Sequence, residues 1–121
     1  MIKGIKFASI AVRDQDRSLA FFTEKLGFSI ATDQPFDDEQ RWIELRIPGA
    51  QTKLVLFTMK GHEDRIGTFS NVVFYSDDVA GTYRDLVAKG VVFTQEPQTQ
   101  DWGTSAVFKD PDENVFVLSS P

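Results

Sequence analysis

One histidine, His62, and no cysteine bound the chemistry open to this chain. Without a thiol there is no disulfide, no thiolate nucleophile and no cysteine-ligated zinc. A single imidazole also excludes most histidine-based acid–base and metal chemistry. His62 lies in KGHEDR, a charged stretch, and beside Glu63 and Asp64 it reads as surface rather than as a metal site. No Ser-His-Asp set, phosphate-binding loop or zinc spacing is present. Residues 109–118, KDPDENVFVL, have the form of a frame for a reactive group, a tight turn feeding a last strand. That strand carries no ionisable side chain, and DPDEN itself is turn chemistry.

The elements that would position any site come in two similar halves. Residues 14–27, DQDRSLAFFTEKLG, and 77–90, DDVAGTYRDLVAKG, share an Asp–helix–Gly pattern with equal spacing. Asp14 or Asp16, and Asp77 or Asp78, are placed to cap the helix starts. Gly27 and Gly90 supply the left-handed residue beyond the ends. Leu19, Phe22 and Leu26 form one apolar stripe; Val79, Tyr83, Leu86 and Val87 form the other. Strands are expected at 7–12, 28–32, 41–47 and 52–59, then at 71–76, 91–94, 104–109 and 114–119. Trp42 and Trp102 open the third strand of each half. Segments 33–40, 60–68 and 95–103 are polar with Pro or Gly and read as loops. The fold class is therefore α+β: two βαβββ modules whose curved mixed sheets surround a shared cavity, with the helices outside. Module one covers about 1–60 and module two about 68–121, in a single domain of 121 residues.

Composition narrows the partners. The net charge of −5 without a dense basic patch argues against nucleic acid and favours neutral or cationic small molecules. No run of about 18 apolar residues exists to span a membrane. The N-terminal MIKGIKFASIAV is too short and lacks a cleavage site for a signal peptide, so a cytoplasmic protein is expected.

The paired modules resemble the vicinal oxygen chelate superfamily of glyoxalase I, extradiol dioxygenases and bleomycin-resistance proteins. The resemblance covers nearly the whole chain. It is carried by AVRDQDRSLAFFTEKLGF, the RWIEL strand, SDDVAGTYRDLVAKGV, and DPDEN where DPDGN is usual. The departure at Glu113 removes a glycine from a turn and implies some strain. The resemblance implies a divalent metal held by ligands on the first and fourth strands of each module, with the substrate's oxygens completing its shell. Here those positions fall on Phe7, Leu56, Asn71 and Val117. A slip of one residue would substitute Ala8, Val55, Val72 and Phe116 or Leu118, none a good ligand. Apolar side chains cannot bind a divalent cation, and one amide is too weak alone. No metal and no cofactor are therefore expected, and the superfamily's metal-dependent activities are not carried over.

If the ligand positions face inward, their same-face neighbours line the cavity. That set contains Phe7, Ser9, Leu54 and Leu56, with Trp42, Glu44 and Arg46 from the third strand. Module two adds Asn71, Val73, Tyr75 and Val117, with Trp102 near the other mouth. Ile10, Val12, Val55, Phe57, Phe116 and Leu118 are assigned to the helix-packed face. The lining is mostly apolar and aromatic with few polar groups, as in a small-molecule pocket. Glu44 would pair with a cationic group, or with Arg46 in an empty cavity. The alternative is that Phe7, Leu56 and Val117 simply fill a collapsed core. The first functional reading is a metal-independent protein that binds or sequesters a small organic molecule, as resistance proteins do. The second is a lyase or isomerase using Glu44, Tyr75 or Arg46 for acid–base chemistry. The third is a regulatory or structural module with a filled cavity. A homodimer is expected, since this fold usually pairs.

Overall fold

The computed structural model describes residues 1–121 and resolves into two compact units, Met1–Ile66 and Gly67–Pro121. In module one, strand β1 (Phe7–Ile10) leads to helix α1 (Gln15–Ala20) and a wider π-helical turn over Phe21–Lys25. Strands β2 (Ser29–Pro35), β3 (Arg41–Arg46) and β4 (Lys53–Leu56) follow. The sheet order is β1-β4-β3-β2; β1 runs parallel to β4 and the other neighbours are antiparallel. Module two repeats the plan with β5 (Phe69–Tyr75), α2 (Val79–Ala88), β6 (Val92–Gln100), β7 (Gly103–Lys109) and β8 (Val115–Ser119), in the order β5-β8-β7-β6.

Local chemistry starts and stops both helices. Asp14 accepts from the Arg17 N–H, and Asp78 accepts from the Gly81 N–H. These are N-caps that satisfy orphan helix donors. Gly27 and Gly90 have φ of 79° and 89°, the left-handed exit expected of them. The first helix is shorter than its pattern. The π-helical turn seats both Phe21 and Phe22 in the core, which a regular 3.6-residue period would spread apart. In α2, Val79 and Leu86 are buried, but Val87 is 45% exposed and lies off the packed stripe.

Of the expected loops, 95–103 is largely strand and 33–40 is strand at its start. β2 runs on to Pro35, and β6 runs to Gln100, where it pairs with β7 through a two-residue hairpin turn, Asp101-Trp102. β6 is an edge strand, so its Gln and Thr side chains are solvated and the segment looks like loop in sequence. Pro97 falls at a bulge, where the register moves from Gln95↔Val107 to Gln98↔Ser105; an edge bulge is where a strand tolerates a residue without an N–H.

The module-two core is a stack of rings. Phe74, Phe108 and Phe116 lie 5.4–6.3 Å apart, nearly parallel, and Tyr83 of α2 meets Phe93 edge-on at 4.7 Å. These contacts identify the helix-packed side of that sheet. The β7–β8 turn beneath it is built on Asp110. One carboxylate oxygen accepts from the Asp112 and Asn114 N–H groups, and the other accepts from the Asn114 side-chain amide. The Asn114 side-chain Oδ1 accepts in turn from the Gly67 N–H at 2.7 Å. Glu113 adopts φ 65°, so the missing glycine of this turn does place a side chain in the left-handed region.

Burial pushes the Asp110 carboxyl above its ordinary value, against the lowering effect of its bonds to Asn114. A carboxyl raised on folding binds more protons in the native state than in the unfolded one. Stability from this group therefore rises as pH falls through its native value toward the unfolded value of 3.8. Urea unfolding of the natural chain and Asp110→Asn from pH 7 to pH 4 should show the natural chain gaining stability relative to the variant on acidification. The opposite slope would mean that Asp110 is held as a stabilised carboxylate.

Candidate ligand-binding face

Strand pairing assigns every side chain of the module-one sheet to one of two faces. Ser9 pairs with Val55, Val55 with Glu44, and Glu44 with Thr32, so these four form one row across the sheet. Phe7 and Lys53 occupy the adjacent row. Trp42 and Arg46, two residues either side of Glu44, share this face. The opposite face carries Ala8, Ile10, Leu54, Leu56, Ile43 and Leu45. From Ile10 onward in that set all are 0–2% exposed. That is the core face, and α1 lies against β4.

The register corrects one expected position. Leu56, and Leu54 with it, points to the core beside Ile10 and Ile43, not to the face that bears Phe7. Val55 takes that place. A slip of one residue exchanges the two faces of a strand, and KLVLFT is apolar at adjacent positions, so alternation cannot fix the register there. Phe57, expected on the helix side, also lies with the open-face rings.

Four aromatic side chains meet on this face. The Phe7 and Trp42 rings make an edge contact at 5.5 Å, and Trp42 and Phe57 lie 5.1 Å apart. Phe36, just beyond β2, sits 4.8 Å from Phe57 and 6.1 Å from Trp42. The sequence reading missed Phe36 because its surroundings are polar; a lone phenylalanine in such a loop was the available signal. The Trp42 indole N–H donates to Glu44 Oε1 at 2.8 Å. Arg46 does not pair with Glu44; its Nη1 donates to the Ile30 carbonyl at 3.1 Å. Arg46 lies at the exposed end of β3 and reaches across to the neighbouring β2.

Module two has an open face of the same construction. Tyr75, Ser119, Ser105 and Gln98 form one row, and Val73, Val117, Val107 and Gln95 the next. Val73, Tyr75 and Val117 thus lie opposite the ring stack, as the alternation predicts. Tyr75 is 75% exposed. Asn71 sits in a bulge of β5 with φ 63° and is exposed. Trp102 is not the counterpart of Trp42. Trp42 lies within β3, whereas Trp102 occupies the β6–β7 turn, 65% exposed. The extension of β6 into a tight hairpin moves it off the sheet.

A separate pocket of about 400 Å³ opens in module one, lined by Val12, Arg13, Gln15, Gln40, Thr58 and Glu63 among others. Its floor is committed internally. Thr58 Oγ1 accepts from the Val12 N–H at 2.8 Å and donates to the Val12 carbonyl at 2.7 Å. The Gln40 amide pairs with both backbone groups of Thr58. Gln15 donates to the Arg41 and Leu56 carbonyls and accepts from the Arg41 N–H. Glu63 at the rim is held below its ordinary value by the N–H groups of its own residue and Gly61. Arg41 is pushed above its ordinary value by its bonds to Asp33 and Asp16. His62 is exposed beside this pocket, at the start of a short 3₁₀ turn over Glu63–Arg65.

Residues 4–118 match the model of the glyoxalase/bleomycin resistance protein/dioxygenase superfamily. The chain belongs to this superfamily. It is 42% identical over 121 residues to the uncharacterized protein YetH of Bacillus subtilis (strain 168), covering 98% of each chain. Among solved structures it is similar to TnmS3, an antibiotic binding protein from Streptomyces sp. CB03234, with TM-score 0.88 and 32% identity over 99% of this chain and 97% of that one. A superfamily member from Sphaerobacter thermophilus DSM 20745 gives TM-score 0.89 and 30% identity over 99% and 98%.

Superfamily membership raises the question of a divalent metal. With the register known, the four positions assigned to its ligands hold Phe7, Val55, Asn71 and Val117, and only Asn71 has a donor atom in its side chain. No group of three or more His, Asp or Glu side chains is close enough to hold a metal ion. These residues do not fit the superfamily's metal. No helix is long and apolar enough to cross a membrane.

The Thr58 staple ties the end of β1 to the end of β4 through a side chain, and both of its bonds are buried. Thr58→Val keeps the shape and strands the Val12 N–H and carbonyl. The expected loss is roughly 1–3 kcal/mol of unfolding free energy, measured by urea denaturation. A neutral substitution would show that the strand ends hold without it.

Proposed function

We propose that the protein binds a small organic molecule on the open sheet face of module one, without a resident metal, and that sequestration of such a molecule is its use. The observation that carries this reading is the contiguous set of Phe7, Phe36, Trp42 and Phe57 rings on the side of the sheet away from the core. An aromatic surface with a few placed polar groups is the usual make-up of a small-molecule site. Phe7, Ser9, Trp42, Glu44 and Arg46 are its contact residues on module one, over a floor that includes the buried Val55; Asn71, Val73, Tyr75 and Val117 are assigned the same role on module two. Similarity to TnmS3 supports the reading, because that relative is an antibiotic binding protein. We further propose a homodimer, which sedimentation would report as twice the 13.6 kDa chain mass.

The chain has two tryptophans, so Trp102→Phe leaves Trp42 as the sole indole reporter. A panel of aromatic and heteroaromatic antibiotics should include compounds that change Trp42 fluorescence saturably. Ser9 is exposed on the same face, and Ser9→Arg should cut that affinity more than tenfold while leaving the thermal midpoint nearly unchanged. Binding untouched by Ser9→Arg, or a panel with no binder, would move the function away from this face.

A further inference from the structure

The unusual group on this face is Glu44. Its carboxylate is half-buried, one oxygen is fixed by the Trp42 indole N–H, and the other has no hydrogen-bond partner within the chain. No lysine or arginine forms an ion pair with it. Arg41 is taken by Asp16 and Asp33, and Arg46 by the Ile30 carbonyl. Lys53, in the neighbouring row, makes no ion pair with it. A partly desolvated carboxylate without a counter-charge is unfavourable, and proteins ordinarily pair such a group. Here the side chain that holds it is Trp42, itself in contact with the Phe7 and Phe57 rings. Ring faces attract cations through their quadrupoles, and the attraction strengthens where water is excluded.

From this combination we infer that the face selects organic cations. A protonated amine or quaternary ammonium group sits against the Trp42 and Phe7 rings, with Glu44 Oε2 as its counter-charge. The indole bond holds the carboxylate in place before the ligand arrives, so little ordering is needed on binding. The chain's net charge of −5 adds a general attraction for cations. The inference rests on the reading of this face as a binding site and adds the charge class of its ligand.

Two nearly isosteric probes test it: 2-phenylethylammonium and 2-phenylethanol, followed by ligand-observed NMR titration at low and high salt. The expected result is at least tenfold tighter binding of the ammonium, weakening with salt, and a preference abolished in Glu44→Gln. That variant keeps an oxygen to accept from the Trp42 indole, so the ring cluster is retained, and its Trp42 emission should match the natural chain. Equal binding of the two probes, or a preference that survives Glu44→Gln, overturns the cation selectivity while leaving a binding face. Failure of both probes to bind, in the natural chain and the variant alike, overturns the binding face itself.

Discussion

The parallel pairing of Ser9 with Val55 decides what each side of the module-one sheet can do. The run Leu54–Phe57, three residues of β4 and the one after it, is apolar at four successive positions, and all four residues are buried. Hydrophobicity alone is therefore indifferent to which of them faces α1. The hydrogen-bond ladder removes the indifference, because it sets Leu54 and Leu56 beside Ile10, Ile43 and Leu45. Val55 and Phe57 are then left to Phe7, Trp42 and Glu44. The composition of the open face follows from that register.

Where the ladders end, side chains take over. β1 stops at Ile10, yet Val12 still finds a full set of partners in the Thr58 hydroxyl. Gln40 does the same for Thr58, and Gln15 for Arg41. Backbone groups that leave a sheet inside the protein need such partners, since an unmatched buried N–H or carbonyl is costly. In module two the Asp110–Asn114 pair performs the equivalent task for the last turn. The price there is a buried carboxylate with a raised pKa and a non-glycine residue in the left-handed region. These networks hold the sheet ends at fixed distances, which leaves the open faces free to carry residues chosen for other purposes.

Much of this was legible in the sequence. The caps at Asp14 and Asp78 and the exits at Gly27 and Gly90 depend on a few neighbouring residues, so the repeat revealed both helices. The alternation in VVFY and VFVL separates Val73, Tyr75 and Val117 from the ring-bearing face, because one side of each strand is plainly larger. What escaped depended on distance or on ambiguity. Leu56 and Val55 could not be separated within a uniformly apolar run. Gln98 to Gln100 looked like loop because an edge strand is wet. Phe36 joins its ring partners only through folding, and the Thr58–Val12 bonds join residues 46 positions apart. The expected Glu44–Arg46 pair gave way to the indole bond, whose geometry no spacing rule describes.

The open face thus keeps the superfamily's scaffold and replaces its ligand set with rings and one unneutralised carboxylate. Calorimetric titration of Ni²⁺, Zn²⁺, Mn²⁺ and Fe²⁺ into metal-stripped protein decides whether that replacement leaves the face without a metal. The expected result is no stoichiometric binding of any of the four. Tight binding of one ion per chain would contradict it, and would mean that a donor set exists which Phe7, Val55, Asn71 and Val117 cannot supply.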